Sequence, residues 1–259
     1  MIEQKNIMKI LAGVLVSPAL IAFSGLFPHQ AAQSYSEEFQ MSLNLPEKPP
    51  YHGAPSRTAG GGVRGNDCVA IDDPELSALI PTNNVWTTRS NRPTFLWYLP
   101  ATKAKTAEFV ILDRNDTEIY TKTLDLDNEN SATILQETLP EAEEDVLLVP
   151  GEVYTWQLSL ICNPRRRSGD IFIEGWVEQV DFQNRDAELD ELNTKLEQAG
   201  DNSLKQAQAY LDAEIYNESI SLLTEMRCEH QKEWQELLNW MGIEEPVVRE
   251  SIAQCEAES

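Results

Sequence analysis

The sequence predicts a β-sandwich over residues 59–182, followed by an acidic α-helical region over residues 183–259 that packs on it. Three observations support this prediction: one long strand with alternating side chains, short apolar runs at regular spacing around it, and helical periodicity in the last third. A chain of 259 residues, 41% of them hydrophobic, is long enough for one large domain or two modest ones.

The long strand is the element around which the others are expected to pack. Every second residue from Tyr154 to Cys162 falls on one face, the pattern of a strand with one buried face. A Pro150-Gly151 corner precedes this strand. The corner, followed by Tyr154 and then Trp156, resembles the tyrosine corner of immunoglobulin-like and fibronectin type III sandwiches.

The remaining strands are short and are separated by polar turns. The predicted strands span Val85–Thr88, Thr94–Leu99, Glu108–Leu112, Glu118–Leu124, Ala132–Glu137 and Asp170–Val180. With the long strand they make seven, the number found in such sandwiches. The last strand has apolar residues on both faces, with Ile173 and Val177 on one and Phe172 and Trp176 on the other. We therefore expect the opposite sheet to cover one face and the helical region to cover the other.

The last third shows apolar residues at helical spacing. Four amphipathic stretches are centred on residues 189–196, 204–211, 220–226 and 234–241. Asn217 is the predicted N-cap of the third helix, Gly242 the end of the fourth, and Pro246 lies in the first turn of a short fifth. Residues 209–220 resemble one tetratricopeptide hairpin. A single unit has no neighbours to bury its faces, so an ordinary helical hairpin is the preferred interpretation.

Residues 1–32 are predicted to be a signal peptide. Lys5 and Lys9 precede an uncharged apolar stretch over residues 10–27, which Pro18 interrupts. This pattern favours a cleaved signal, and a retained single-pass anchor is the alternative. Residues 33–58 contain four prolines and are expected to form a disordered linker.

The charge is strongly negative, with 43 acidic and 20 basic residues giving a net charge of −23. Such a charge opposes binding to nucleic acid and to anionic membrane surfaces, so membrane contact is expected only through an uncleaved signal. Residues 181–259 alone hold 19 acidic and 6 basic residues. A solvated helical surface is the preferred interpretation, and a docking face for a basic partner or for cations is the alternative.

The four cysteines are disulfide candidates, because all of them follow the predicted export signal. They are Cys68, Cys162, Cys228 and Cys255. No pair has the spacing of a zinc finger or of a redox motif. Pairing within each half, Cys68 with Cys162 and Cys228 with Cys255, is the simplest of three connectivities; the other two and free buried thiols stay open.

A glycine run over residues 60–65 precedes Cys68. It does not predict a phosphate-binding loop, because no strand precedes it and no Lys-Ser or Lys-Thr pair closes it. The glycines instead give the backbone the freedom to turn and place Cys68 against the sandwich.

Several blocks taken in order resemble a known family. They are Arg57–Cys68, Leu79–Pro81, Arg92–Pro100, Ala107–Asp113, Tyr154–Trp156, Ser159–Pro164 and Glu174–Val177. The chain is similar over roughly residues 57–245 to a cyanobacterial family, the domain of unknown function numbered 928. This resemblance implies export and a shared fold, and it implies no activity.

No catalytic, cofactor-binding or metal-binding residue is predicted. His29, His52 and His230 lie in separate regions, none beside a serine or cysteine nucleophile and no two at ligand spacing. Paired carboxylates could serve an envelope glycan hydrolase, but chance pairs are common among 43 acidic residues. Residues 125–130 have the oxygen density of a calcium loop, but no glycine makes the turn and Gln136 stands where a closing glutamate is needed.

Arg165, Arg166 and Arg167 form one basic cluster in this acidic protein. The cluster follows Cys162 in the loop between the last two strands, at an end of the sandwich where binding loops are found. The preferred interpretation is an internal clamp that pairs these arginines with the acidic helices. The alternative is a site for an anionic glycan, a phosphate or an acidic partner.

These features favour an exported, non-catalytic binding or structural protein of the cell envelope, periplasmic or at the cell surface. Its expected partner is another envelope protein or a surface glycan. The alternative is an accessory or regulatory partner of a membrane sensor, with the helical region as the docking element. An envelope glycan hydrolase is a third alternative, which the acidic composition leaves open.

Overall fold

The fold is taken from a computed structural model, which describes residues 42–55, 68–69, 75–127, 131–141, 147–243 and 245–257. The predicted signal peptide, the whole glycine run and part of the acidic loop over residues 125–130 lie outside the described residues. Residues 41–259 form one compact unit.

Eight strands form two sheets within the described residues. The strands are β1 Ser77–Ala78, β2 Val85–Thr88, β3 Thr94–Leu99, β4 Thr106–Leu112, β5 Glu118–Asp125, β6 Thr133–Thr138, β7 Val153–Leu160 and β8 Ile171–Gln179. One sheet has the order β1-β3-β6 and the other β2-β8-β7-β4-β5. All neighbours are antiparallel except β2 and β8, which are parallel. The predicted strands are therefore all present, and β1 is added to them.

The inner faces of the two sheets meet through aromatic side chains. The Trp97 ring on β3 lies 5.0 Å from Phe109 and 6.1 Å from Trp156, measured between ring centroids across the two sheets. Trp86 on β2 completes the cluster, 4.7 Å from Trp156. All four rings are fully buried. Each such pair adds about 0.5–1.5 kcal/mol to the stabilisation from the buried area alone.

The alternation predicted for the long strand is confirmed. Tyr154, Trp156, Leu158 and Leu160 on β7 are buried, and the residues between them are half-buried. At the preceding corner Gly151 takes a φ of 77°, a conformation that glycine adopts without strain. The Val149 N–H donates to the Tyr154 hydroxyl oxygen at 3.2 Å, which ties the corner to the start of the strand.

We expect Tyr154→Phe to lower the free energy of unfolding by about 1 kcal/mol, because it leaves the Val149 N–H without its acceptor. Urea-induced unfolding measures the change. Tyr210→Phe is the matched control, since the Tyr210 hydroxyl makes no hydrogen bond within the described residues. Equal effects of the two substitutions would show that the corner contact does not stabilise the fold.

Five helices follow the strands, with one short 3₁₀ turn at Arg167–Gly169 inside the β7–β8 connection. The helices are α1 Asp186–Ala199, α2 Ser203–Asp212, α3 Tyr216–Glu225, α4 Gln231–Trp240 and α5 Glu245–Ala257. Gly242, with a φ of 76°, follows the cap residue Met241 at the end of α4, and Pro246 lies in the first turn of α5, as predicted. Among the described residues, no helix has the length and apolar character needed to cross a membrane.

The predicted N-cap of α3 is wrong. The helix begins one residue earlier, at Tyr216, and Ile215 in the cap position makes no side-chain cap. The Asn217 side chain instead donates to the Thr94 carbonyl oxygen of β3 at 2.7 Å. A tertiary contact therefore uses the amide that the sequence pattern assigned to a local role.

The helices cover the three-stranded sheet, and the expected cover of the last strand is wrong. On β3, Leu96 and Tyr98 are buried on the face opposite Trp97, and the Tyr98 hydroxyl donates to Glu250 of α5. On β8, Phe172 and Trp176 are only half-buried. The helices pack on β3 because its residues from Phe95 to Leu99 are all apolar or aromatic. Both faces of this strand must therefore be buried, one by the opposite sheet and the other by the helices.

Two disulfides join the cysteines within each half. Cys68 pairs with Cys162 and Cys228 pairs with Cys255, with Cα–Cα distances of 5.3 and 5.2 Å. The disulfide prediction is confirmed, in the simplest of the three connectivities. Two disulfides are typical of proteins exported to an oxidising environment.

The segment predicted as a disordered linker is in part docked. Residues 42–55 form no helix or strand, and Leu43 and Ala54 within them are buried. The Asn84 side chain donates to the Pro55 carbonyl oxygen at 3.0 Å, so the segment also contacts the residue before β2. The proline content predicted a disordered linker, and it did not show that apolar residues beside the prolines pack on the folded part.

Candidate functional site

The β7–β8 loop, residues 161–170, is held by hydrogen bonds at its base. The Cys162 N–H donates to the Asp170 carboxylate at 3.2 Å, which joins the two ends of the loop. Within the loop the Arg166 N–H donates to the Asn163 carbonyl oxygen at 2.9 Å, and the Asp170 N–H donates to the Arg167 carbonyl oxygen at 3.0 Å. Short turns of this kind fix the direction in which the side chains at the tip point.

The Cys68–Cys162 disulfide attaches the same base to a second part of the chain. Cys68, the other cysteine of this disulfide, is held by two hydrogen bonds to its carbonyl oxygen. The Thr102 hydroxyl donates to this oxygen at 2.8 Å, and the Lys103 N–H donates to it at 2.9 Å. The loop is therefore anchored covalently at Cys162 and through hydrogen bonds on both sides of the disulfide.

The structure separates the three arginines of the loop. Arg167 donates to Glu108 on β4 at 2.9 Å and to Asp170, and these two hydrogen-bonded carboxylates raise its pKa above the ordinary arginine value. Arg165 and Arg166 are exposed, and their guanidinium groups make no ion pair or hydrogen bond within the described part of the chain. The preferred clamp interpretation holds for Arg167 alone, and its partners lie on the sheet side of the molecule instead of on the acidic helices.

Two exposed guanidinium groups on consecutive residues can bind an anion. Arginine presents a planar fork of donors that matches a carboxylate, sulfate or phosphate group. Arg167 fixes the base by its ion pairs, so the backbone that carries the two tip arginines is held in place before binding. We call residues 162–170 the arginine loop.

A second concave feature lies between α1 and α2. This cleft of about 270 Å³ has a buried apolar floor that includes Leu192 and Ala209. Lys195 bridges its walls, with its amino group 3.0 Å from Glu191 and 2.8 Å from Asp212. The sequence analysis did not find this cleft, because it lies where two helices meet and no sequence motif marks it.

Both cations of this cleft are paired with carboxylates inside it. Arg185 forms an ion pair with Glu188 and lies 5.5 Å above the centre of the Phe182 ring. The ion pair raises the pKa of Arg185 and lowers the pKa of Glu188. An anion would therefore meet paired cations here and unpaired ones at the arginine loop, which makes the loop the better anion site.

The histidines form no common site in the described part of the molecule. His52 is exposed, and the Nδ1 atom of His230 lies 3.8 Å from Glu233 on the acidic helices. Among the described residues, no group of three or more His, Cys, Asp and Glu side chains is arranged to hold a metal ion. His29 lies outside the described residues.

One buried carboxylate ties the helices to the sheet. Glu218 on α3 accepts hydrogen bonds from the Thr88 hydroxyl at 2.8 Å, the Arg89 N–H at 2.9 Å and the Ser90 N–H at 3.1 Å. All three go to one oxygen, and the other oxygen is shielded from solvent without a partner in the described structure. Burial raises the pKa of Glu218, because loss of solvation outweighs the hydrogen bonds that lower it.

This raised pKa predicts a pH-dependent stability. Below the ordinary glutamate value of 4.5 the stability that this group contributes is fully present, and it is lost as the pH rises through the higher folded-state pKa. We expect Glu218→Gln to remove that loss, so that the variant gains stability relative to the unmodified protein as the pH rises above the ordinary glutamate value. Guanidinium unfolding at several pH values measures the difference.

Glu188→Gln provides the control for this measurement, because the pKa of Glu188 is lowered and its effect has the opposite sign. If unmodified protein and Glu218→Gln kept a constant difference in stability at all these pH values, Glu218 would not carry the raised pKa.

Comparison with known proteins gives one family and no named activity. A family model described as Domain of Unknown Function (DUF928) matches residues 59–252. No curated protein matches the chain. One similar solved structure is that of astrotactin-2, described as a conserved vertebrate-specific and perforin-like membrane protein involved in neuronal development. It is 12% identical, with a TM-score of 0.25, over 72% of this chain and 37% of that chain.

The likeness to astrotactin-2 is too weak to support an argument about fold or function. The family model, in contrast, covers both sheets and all the helices except the end of α5. It also includes the arginine loop and its disulfide. The chain therefore belongs to the family Domain of Unknown Function (DUF928).

Proposed function

We propose that the protein is an exported, non-catalytic binding protein of the cell envelope, located in the periplasm or at the cell surface. In this proposal Arg165 and Arg166 bind anionic groups on a surface glycan or on an acidic envelope protein. The observation that supports it is the arginine loop itself, where two exposed, unpaired guanidinium groups lie on a base held by a disulfide and by Arg167. Unpaired cations stand out in a protein with a net charge of −23.

We further propose that the two sheets are a sandwich of the immunoglobulin or fibronectin type III kind. The strand order supports this, because β1, β3 and β6 occupy the positions of strands A, B and E, and β4, β7 and β8 those of C, F and G. The hydrogen bond between Val149 and Tyr154 lies where the tyrosine corner of such folds is found. The arginine loop then corresponds to the F–G loop, which serves in binding in variable domains.

The experiment compares retention of the full-length protein on immobilised polygalacturonate and on neutral dextran. We expect retention on the acidic polymer only, a decrease in retention with rising salt, and a loss of about tenfold in affinity for Arg165→Gln/Arg166→Gln. A pull-down from envelope extract forms the second arm. An acidic protein that is captured by the unmodified chain and lost with the double variant would identify a protein partner.

A charge-matched control is Arg89→Gln/Lys232→Gln, which removes the same two charges from exposed positions away from the loop. Arg89 follows β2, whose end lies beside the end of β8 that is farther from the loop. Equal weakening by the two double variants would mean that total charge governs binding. Unchanged binding of both probes to Arg165→Gln/Arg166→Gln would overturn the proposed site.

A further inference from the structure

The helical region holds a segment of the chain's own N-terminal part as a protein holds a bound peptide. We call residues 42–50 the strap. At the start of the strap the side chains alternate in burial, with Ser42 and Asn44 exposed, Leu43 buried and Leu45 half-buried against the core. This alternation is that of an extended peptide lying on a surface with one face inward.

Two side chains from the helices form hydrogen bonds with the main chain of the strap. The Asn44 N–H donates to the Gln208 side-chain oxygen at 2.7 Å, and the Gln208 amide nitrogen donates to the Asn44 carbonyl oxygen at 3.0 Å. The Trp240 indole N–H, at the end of α4, donates to the Pro46 carbonyl oxygen at 2.8 Å. All three hydrogen bonds use backbone atoms of the strap.

The amide of Gln208 is oriented in advance by its own helix. Its nitrogen also donates to Asp212, one turn later on α2, at 2.7 Å. This contact fixes which end of the amide faces the N–H and which faces the carbonyl of the strap. Proteins bind extended peptides in this way, through hydrogen bonds to the peptide backbone and burial of the apolar side chains on either side.

Gln208 also borders space that remains open. It lines a cleft of about 500 Å³ together with Lys195, Ala199, Lys205 and Asp212. The site where Gln208 bonds to the strap is therefore continuous with a larger opening along α1 and α2. A peptide longer than the part held at Asn44 has room to extend there.

We propose that α2 and α4 form a groove for an extended peptide of the pattern Leu-x-Leu-Pro, occupied in this structure by the strap. The occupant that replaces the strap is a segment of a partner protein with the same pattern. The partner's backbone accepts and donates the same hydrogen bonds at Gln208 and Trp240, and its leucines fill the sites of Leu43 and Leu45. The strap is then a competitive, built-in cover of this groove.

The test uses the full-length chain and a fluorescent peptide with the sequence of residues 42–50. Leu43→Ser/Leu45→Ser loosens the strap without touching the groove. We expect this variant to bind the peptide at least about tenfold more tightly than the unmodified protein, in which the strap competes. Adding Gln208→Ala is expected to weaken binding about tenfold, since two hydrogen bonds to the peptide are lost.

Two controls make the result specific to the groove. Gln198→Ala, on the cleft wall of α1, should leave affinity for this peptide unchanged, and a peptide with both leucines replaced by serine should not bind. A Leu43→Ser/Leu45→Ser variant that keeps its circular dichroism spectrum but does not bind the peptide would overturn the proposal.

Hydrogen exchange tests the contact without loosening the strap. The Asn44 amide should be protected in the unmodified protein and should lose at least about tenfold in protection in Gln208→Ala. An Asn44 amide that exchanges at the rate of an unstructured peptide in the unmodified protein would show that the strap does not occupy the groove, and the proposal would fail.

Discussion

Replacing Cys68 and Cys162 together by alanine is expected to lower the free energy of unfolding by about 4.7 kcal/mol. The two residues are 94 positions apart, so the bond removes much of the conformational freedom of the unfolded chain. The Cys228–Cys255 bond spans 27 positions, and its removal by the same substitutions is expected to cost less, about 3.6 kcal/mol.

Guanidinium-induced unfolding of the two double variants under non-reducing conditions measures both changes. The long-range bond also anchors the arginine loop, so its loss should reduce affinity for acidic glycan, and loss of the helical bond should not. If the Cys228 and Cys255 variant were the less stable of the two, loop closure would not be the dominant contribution of these disulfides.

The second large effect is expected from Gly175→Ala on β8. A Cβ atom at this position would lie 2.6 Å from Cζ2 and 2.9 Å from Cε2 of Trp156. Trp156 is fully buried and donates from its indole N–H to the Trp176 carbonyl oxygen at 3.3 Å, so it cannot move aside without breaking contacts. We expect a loss of about 3 kcal/mol, the upper part of the range for overpacked cores.

Gly169→Ala is the matched control, because a Cβ atom there would meet nothing within 4 Å. Its effect on stability should stay within about 1 kcal/mol. Thermal unfolding and Trp fluorescence of both variants measure the difference. Equal stability of the two variants would show that the Trp156 ring does not pack on Gly175, and that the core differs from the one described.

The strands were predictable because each carries its own pattern. The alternation from Tyr154 to Leu160 shows which face is buried without reference to any other part of the chain. The observed cysteine pairing was the simplest of three connectivities, and the sequence alone left the other two open. What the sequence could not show was which sheet the helices would cover, because β3 and β8 both have apolar residues on two faces and only packing decides between them.

The functional features also divide into those that the sequence shows and those that only the folded chain shows. The arginine cluster is visible in the sequence, but the division of roles depends on Glu108, which is 59 residues from Arg167 along the chain and is brought to it by the pairing of β4 with β7. The contact of Gln208 with Asn44 spans 164 residues and involves no charged or rare side chain. No local pattern marks either partner, so only the folded chain reveals this contact.

The most direct test of the arginine loop is a titration of the full-length protein with polygalacturonate, followed through the NMR signals of the arginine side-chain Nε–H groups. Binding at the loop tip predicts shifts for Arg165 and Arg166, while the signal of Arg167, held by Glu108 and Asp170, stays in place. Signals of Arg165 and Arg166 that remain unchanged at saturating polymer would contradict the proposed binding site.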